Sequence, residues 1–257
     1  LIPHAFSPKE FPDPDCPPHF RARGMNPQWR HFGAWSAYAD RVCRALSGGT
    51  HVASAAVLYH AEAEWSGGAY EPFETVVRDL ALAQIDCDVV SADTLLDETA
   101  AGFEGRRLAI GSERFGLIVV PYAEMLPAAV LRRLLEAARS DVPVVFCRDW
   151  PRASLGAEAE RDPWLAALRR HRRARVLPVA ALAAAIRRWG VHDVDASPAQ
   201  PHLRVYHYRT GGCDTWFLVN ESLREPVDAT LTLRGCTVRV TGHDALDDRT
   251  VVLPQRA

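Results

Sequence analysis

Two stretches of this 257-residue sequence carry side chains suited to chemistry. His60-Ala-Glu-Ala-Glu-Trp-Ser-Gly-Gly68 sets the carboxylates of Glu62 and Glu64 beside the indole of Trp65. Carboxylates accept hydrogen bonds from hydroxyl groups and an indole offers a flat apolar face, so this trio suits a ligand with a polar rim and an apolar face. The same residues fit equally well as solvated glutamates and a tryptophan filling a domain interface. The glycine pair lacks the GxGxxG and Walker spacings that cradle phosphate, which argues against a nucleotide. The second stretch centres on Cys147, at the end of an apolar run. A strand-end thiol becomes a nucleophile when a histidine activates it and a carboxylate orients that histidine. Here Cys147 runs into Arg148-Asp149-Trp150-Pro151 instead of a turn of small residues, and no His-x-Glu pair lies downstream. A packed, unreactive cysteine is the expectation. His4, Asp13, Asp15 and His19 are spaced by prolines and not at i, i+4, so neither a metal nor any other cofactor is expected there.

These groups must be positioned by ordinary globular elements. Hydrophobic residues make up 48% and charged residues 24% of the chain, enough for a normal core. The formal charge is −2, which excludes the broad basic surface of a nucleic-acid binder. The local run Arg169, Arg170, His171, Arg172, Arg173 and Arg175 reads instead as the cationic end of a helix. Lys9 is the only lysine. Six cysteines lie far apart with no CxxC pair, so free thiols are expected, without a zinc ribbon or redox motif. The expected compartment is the cytoplasm. No apolar run reaches the ~18 residues of a membrane span, and no membrane partner is expected.

Residues 1–7 read as a strand end entering a loop, with its partners upstream, and six prolines between positions 8 and 27 extend that loop. Asn26-Pro27 is a helix start, followed by Trp29, Phe32, Trp35, Ala39, Val42 and Leu46 at helical spacing until Gly48-Gly49. Short apolar runs then alternate with amphipathic segments. Strands are expected at 55–59, 87–90, 108–110, 115–120 and 142–146, with helices at 70–85, 127–139, 164–170 and 179–189. Such alternation builds an open, doubly wound parallel sheet with helices on both faces. After a proline-containing linker at 195–201 the period becomes two. Residues 203–208 and 215–219 flank Gly211-Gly212 as a hairpin, and further strands are expected at 227–233, 237–240 and 250–253. Asp244, Asp247 and Asp248 read as turn residues.

Ile2-Pro-His-Ala-Phe-Ser7, Asn26-Pro-Gln-Trp29, Leu46-Ser-Gly-Gly49, Val57-Leu-Tyr59, Ala61-Glu-Ala-Glu-Trp65, Trp216-Phe-Leu-Val-Asn-Glu221 and Val240-Thr-Gly-His-Asp-Ala-Leu246 together resemble the post-barrel region of large bacterial glycoside hydrolases, of the β-galactosidase or α-L-rhamnosidase-like kind. The resemblance covers nearly the whole chain. It implies an α/β fold with a flavodoxin-like sheet of the class I amidotransferase type, preceded by the last helix of a barrel and followed by a small antiparallel β tail. The implied domains are 1–49, the end of a (β/α)8 barrel; 50–197, an amidotransferase-like domain related to a trimerisation domain; and 198–257, the β tail. His4 and Phe6 would border a sugar pocket at the barrel mouth, with Glu62, Glu64 and Trp65 as a further wall. The chain itself would carry no catalytic residue, because the acid pair that cleaves a glycosidic bond belongs to barrel strands. The implied role is packing, homo-oligomer formation and contact with carbohydrate. A stand-alone carbohydrate-binding or assembly module and an amidotransferase-like cysteine enzyme are the alternatives.

Overall fold

The computed structural model describes residues 27–156 and 163–255; His4 and Phe6 lie outside these residues. Two compact units result, Leu1–Gly49 with Thr237–Ala257, and Thr50–Cys236. In the first unit a 3-10 turn at Trp29–His31 leads into α1 (Phe32–Ala45). Its apolar stripe is half-buried from Trp29 to Leu46, and Trp29, Phe32 and Trp35 stack in series at 5.0 and 6.0 Å.

The second unit opens with β1 (Thr50–His51) and β2 (Ala55–Tyr59), followed by the short helix α2 (Ala61–Trp65), α3 (Phe73–Leu82), β3 (Cys87–Ser91) and α4 (Ala92–Leu96). Ser91 caps α4 by accepting the Thr94 backbone N–H, the usual role of serine at that position. Helix α3 is shorter than the expected 70–85, because Pro72 precedes it and Gln84 adopts φ +55°. A small antiparallel sheet of β4 (Ala101–Glu104), β5 (Arg107–Ile110) and β6 (Glu113–Phe115) comes next. The expected short strand at 108–110 thus exists but lies outside the parallel sheet. Gly105 and Arg106 both have positive φ, 53° and 68°, and turn the chain back as a tight hairpin.

The chain continues through β7 (Leu117–Val120), β8 (Met125–Pro127), α5 (Ala128–Arg139), β9 (Val144–Cys147), β10 (Ala153–Leu155), α6 (Trp164–Arg170), β11 (Ala174–Leu177) and α7 (Val179–Trp189). Among the described residues, the parallel sheet has five strands in the order β3-β2-β7-β9-β11. Its fifth member, β11, escapes the apolar pattern because it is an edge strand. Arg175 is exposed and Val176 and Leu177 are half-buried. The basic run therefore has two roles. Arg169 and Arg170 end α6, while Arg172 and Arg173 both pair with Asp141.

Side-chain alternation along the strands splits the core in two. Ala55, Val57, Leu117, Val119, Val145 and Cys147 pack with Val76 and Leu80 of α3 and Leu182 and Ile186 of α7. Ala56, Leu58, Ile118, Val120, Val144 and Phe146 pack with Leu95 of α4, Leu131 and Leu134 of α5 and Leu168 of α6. Burial on both faces is why these strands read as unbroken apolar runs.

The segment expected to be a linker instead contains β12 (Val194–Ser197), which pairs with β15 (Thr230–Leu233). The hairpin β13 (Leu203–Thr210) and β14 (Cys213–Asn220) turns at Gly211-Gly212, with φ 57° and 84°. It extends β1 into a three-stranded sheet. The buried Gln84 amide donates to the carbonyls of Gln200 and Leu203, holding this sheet beside the end of α3. His207, stacked on Trp216 at 4.5 Å, meets Asp193 at 2.9 Å and Asp214 at 2.8 Å. Burial alone lowers the basicity of His207, but the two carboxylates outweigh it and raise the imidazole above its ordinary value.

The first unit closes with a short hairpin of β16 (Gly242–Asp244) and β17 (Arg249–Val251). Asp244 accepts backbone N–H groups from Leu246 and Asp247, the turn role its sequence context suggests. Residues 237–240 form no strand; Val238 is 75% exposed, and the pairing falls later in the chain. No helix among the described residues is long and apolar enough to cross a membrane.

Candidate functional site

Strands β2 and β7 are adjacent in the sheet, and the chain leaves them toward opposite faces, since α3 and α5 lie in different core layers. In open parallel sheets, the crevice beyond the carboxyl ends of two such strands is where ligands are met. Here the two exits are joined. Ala69–Glu71 and Tyr122–Glu124 run antiparallel, through Glu71 N–H to Tyr122 O at 2.8 Å, Glu124 N–H to Ala69 O at 2.7 Å and Ala69 N–H to the Glu124 carboxylate at 2.9 Å. The stretch from His60 to Gly68 is thereby held as a fixed projection.

That projection is helical over Ala61–Trp65. Helix α2 holds Glu62 and Trp65 three residues apart, on one side, with Ala63 buried beneath. The Ser66 hydroxyl donates to Ala63 O and accepts the Gly68 N–H, closing the turn. Each glycine has its own reason. Gly67 sits at φ +74°, and a β-carbon on Gly68 would lie 2.8 Å from the Met125 methyl. The outcome is an indole 78% exposed to solvent, with Glu64 exposed and Glu62 half-buried beside it. The structure thus brings Glu62, Glu64 and Trp65 together.

Three aromatic residues missed in the sequence surround this projection. Tyr59 ends β2 with 41% exposure and packs edge-on against Phe73 at 5.1 Å. Tyr70 is 37% exposed, and its phenol is raised above its ordinary value by desolvation and then by its hydrogen bond to Glu64. Tyr122 lies beneath the Arg148 guanidinium at 4.9 Å. A tyrosine closing an apolar strand is the one signal that could have marked Tyr59. Tyr70 and Tyr122 join the site only through the pairing of the two loops.

His60 is 4% exposed and its ring meets Tyr70 edge-on at 6.2 Å. Backbone groups of Tyr122, Glu71 and Leu58 lie near the ring, but neither nitrogen attains hydrogen-bond geometry. Burial therefore dominates and lowers its pKa, leaving a neutral imidazole.

Cys147, the last residue of β9, is fully buried, and burial followed by the charge of Glu71 pushes its thiol up to about 12. Activated cysteines need the opposite environment, exposed and electropositive. The residue packs against Leu182 and Ile186 as part of the core.

No family model, no curated protein and no solved structure matches this chain.

Proposed function

We propose that the chain is a non-catalytic ancillary part of a cytoplasmic glycoside hydrolase, in which the turn from Glu62 to Trp65 forms one wall of a carbohydrate site. In this reading the sheet, with its order of second, first, third, fourth and fifth strand, is a flavodoxin-like, amidotransferase-like scaffold without its nucleophile. The observation that carries the proposal is Trp65. A large apolar side chain held 78% exposed, on a helix pinned by hydrogen bonds and flanked by two glutamates, presents a sugar-sized face and acceptors for its hydroxyl groups. The sealed thiol of Cys147 speaks against an amidotransferase-like cysteine enzyme. The remaining role is support, through packing, oligomer formation and contact with sugar.

The test combines binding and turnover. Tryptophan fluorescence of the chain, titrated with galactosides and α-L-rhamnosides, is expected to change saturably. The response should vanish in Trp65→Ala, while nitrophenyl glycosides remain uncleaved. A flat titration with every sugar would remove the carbohydrate role, and hydrolysis by this chain alone would overturn the non-catalytic one.

A further inference from the structure

His51, Asp86, Asp88 and Glu113 converge from three parts of the second unit, beside the amino-terminal ends of the parallel strands. His51 lies on β1, Asp86 immediately before β3, Asp88 within it, and Glu113 on β6. The imidazole of His51 is buried and stacks on Tyr206 with ring centres 4.2 Å apart and planes 9° from parallel. Its Nε2 lies 2.7 Å from the Asp86 carboxylate and its Nδ1 3.0 Å from that of Asp88. One ligand atom each from His51, Asp88 and Glu113 lies within 4.8 Å of the others. Asp86 is itself fixed, accepting the Cys87 N–H through its second oxygen at 3.0 Å.

We propose that His51, Asp88 and Glu113 bind a divalent transition-metal cation, zinc being the ion best suited to them, with Asp86 orienting the imidazole from behind. Metal-bound imidazoles typically donate their other N–H to a carboxylate, which fixes the tautomer and the ring angle. The 2.7 Å contact from Nε2 to Asp86 supplies that arrangement and leaves Nδ1 facing Asp88, with Glu113 in the same cluster. One nitrogen and two carboxylate oxygens suit zinc better than magnesium or calcium, which take oxygen ligands alone. Tetrahedral zinc with bonds of about 2.1 Å sets its ligands roughly 3.4 Å apart. Nδ1 and Asp88 lie at 3.0 Å and all three ligand atoms within 4.8 Å of one another, so small side-chain adjustments would bring them to that spacing.

The charge balance points the same way. Two aspartates flank a single imidazole, with Glu113 beside them, so even a protonated ring leaves the group negative. A dication neutralises more of that charge than a proton does. Binding releases the proton on Nδ1 to solvent and leaves Nε2–H on Asp86. Three protein ligands leave a fourth position for water, and the ion would clamp β1, β3 and the β5–β6 hairpin together.

The experiment is zinc titration of the EDTA-treated full chain by calorimetry and thermal unfolding, with thiols blocked so that cysteines cannot contribute. One zinc per chain is expected, with Tm raised by roughly 5–10 °C at zinc 100-fold above Kd. Asp86→Asn should weaken binding by about 10-fold to 100-fold while preserving the stoichiometry. Glu113→Gln, a change on a short hairpin strand, should abolish tight binding and keep the fold, checked by circular dichroism. Cobalt in place of zinc should give a visible absorption band that Glu113→Gln loses. Absence of saturable binding by the parent chain would overturn the proposal and leave the cluster as a protonated imidazole between carboxylates. Binding unchanged by both Glu113→Gln and Asp88→Asn would overturn it equally.

Discussion

The two ends of the parallel strands are built on opposite principles. At the carboxyl ends, one contiguous segment projects an apolar ring into solvent, and its neighbouring loops are tied by backbone hydrogen bonds. Around the amino-terminal ends, charged side chains from distant segments meet one another. His51 lies between Asp86 and Asp88, and Asp141 pairs with Arg106, Arg172 and Arg173. The first surface leaves its apolar ring uncovered by the chain. The charged groups hold the chain to itself, and the proposed zinc would join one of them without exposing apolar area.

Four changes test that contrast. The largest effect is expected from the shared scaffold. Phe146→Ala empties a fully buried position on the central sheet and should cost about 3–5 kcal/mol, with the fluorescence of Trp65 and the protection of β1 lost in one urea transition. Two separate transitions would show that the two ends are independently stable. Next is pH, which acts through paired charges such as His207 with Asp193 and Asp214. His207 has a raised folded pKa against an ordinary 6.5. Its stabilising contribution is complete below about pH 6.5 and is lost as pH climbs through the folded value. Urea midpoints should therefore fall on the alkaline side in the parent and fall less in His207→Gln.

A smaller effect is expected at the turn. Gly67→Ala places a side chain at φ +74° and should cost about 1 kcal/mol, loosening α2 while leaving the hydrogen exchange of β1 and β3 unchanged. The smallest belongs to Trp65→Ala. An exposed indole contributes little to folding, so the unfolding free energy should shift by no more than about 0.5 kcal/mol. A loss of several kcal/mol would reveal Trp65 as part of a packed contact and contradict its role as a ligand-facing ring.

How far the site was legible follows from the same contrast. Glu62, Glu64 and Trp65 are neighbours in sequence, and their position after an apolar strand was enough to single them out. Tyr70 and Tyr122 are separated by most of two βα units, and only the antiparallel pairing of residues 69–71 with 122–124 unites them. The cluster around His51 was invisible for the same reason, since its members stand on β1, β3 and β6 with no motif spacing between them. The strands showed a similar division. β2, β7 and β9, buried on both faces, stood out as apolar runs, whereas β11, with its exposed Arg175, was hidden inside a basic stretch.

The sequence by itself determined the alternation of apolar strands with amphipathic helices, the hairpin at Gly211-Gly212, the turn at Asp244 and the improbability of a reactive Cys147. Each rests on local periodicity, on backbone conformations special to a few residue types, or on the residues beside the thiol. Tertiary structure decided which strands join which sheet. It sent residues 107–110 into an antiparallel sheet, recruited 174–177 as the parallel edge and turned a presumed linker into β12. It also decided which charges meet. Strand partnership and charge pairing depend on what lies across a gap of several ångströms in space and dozens of residues in sequence, and no local pattern encodes that distance.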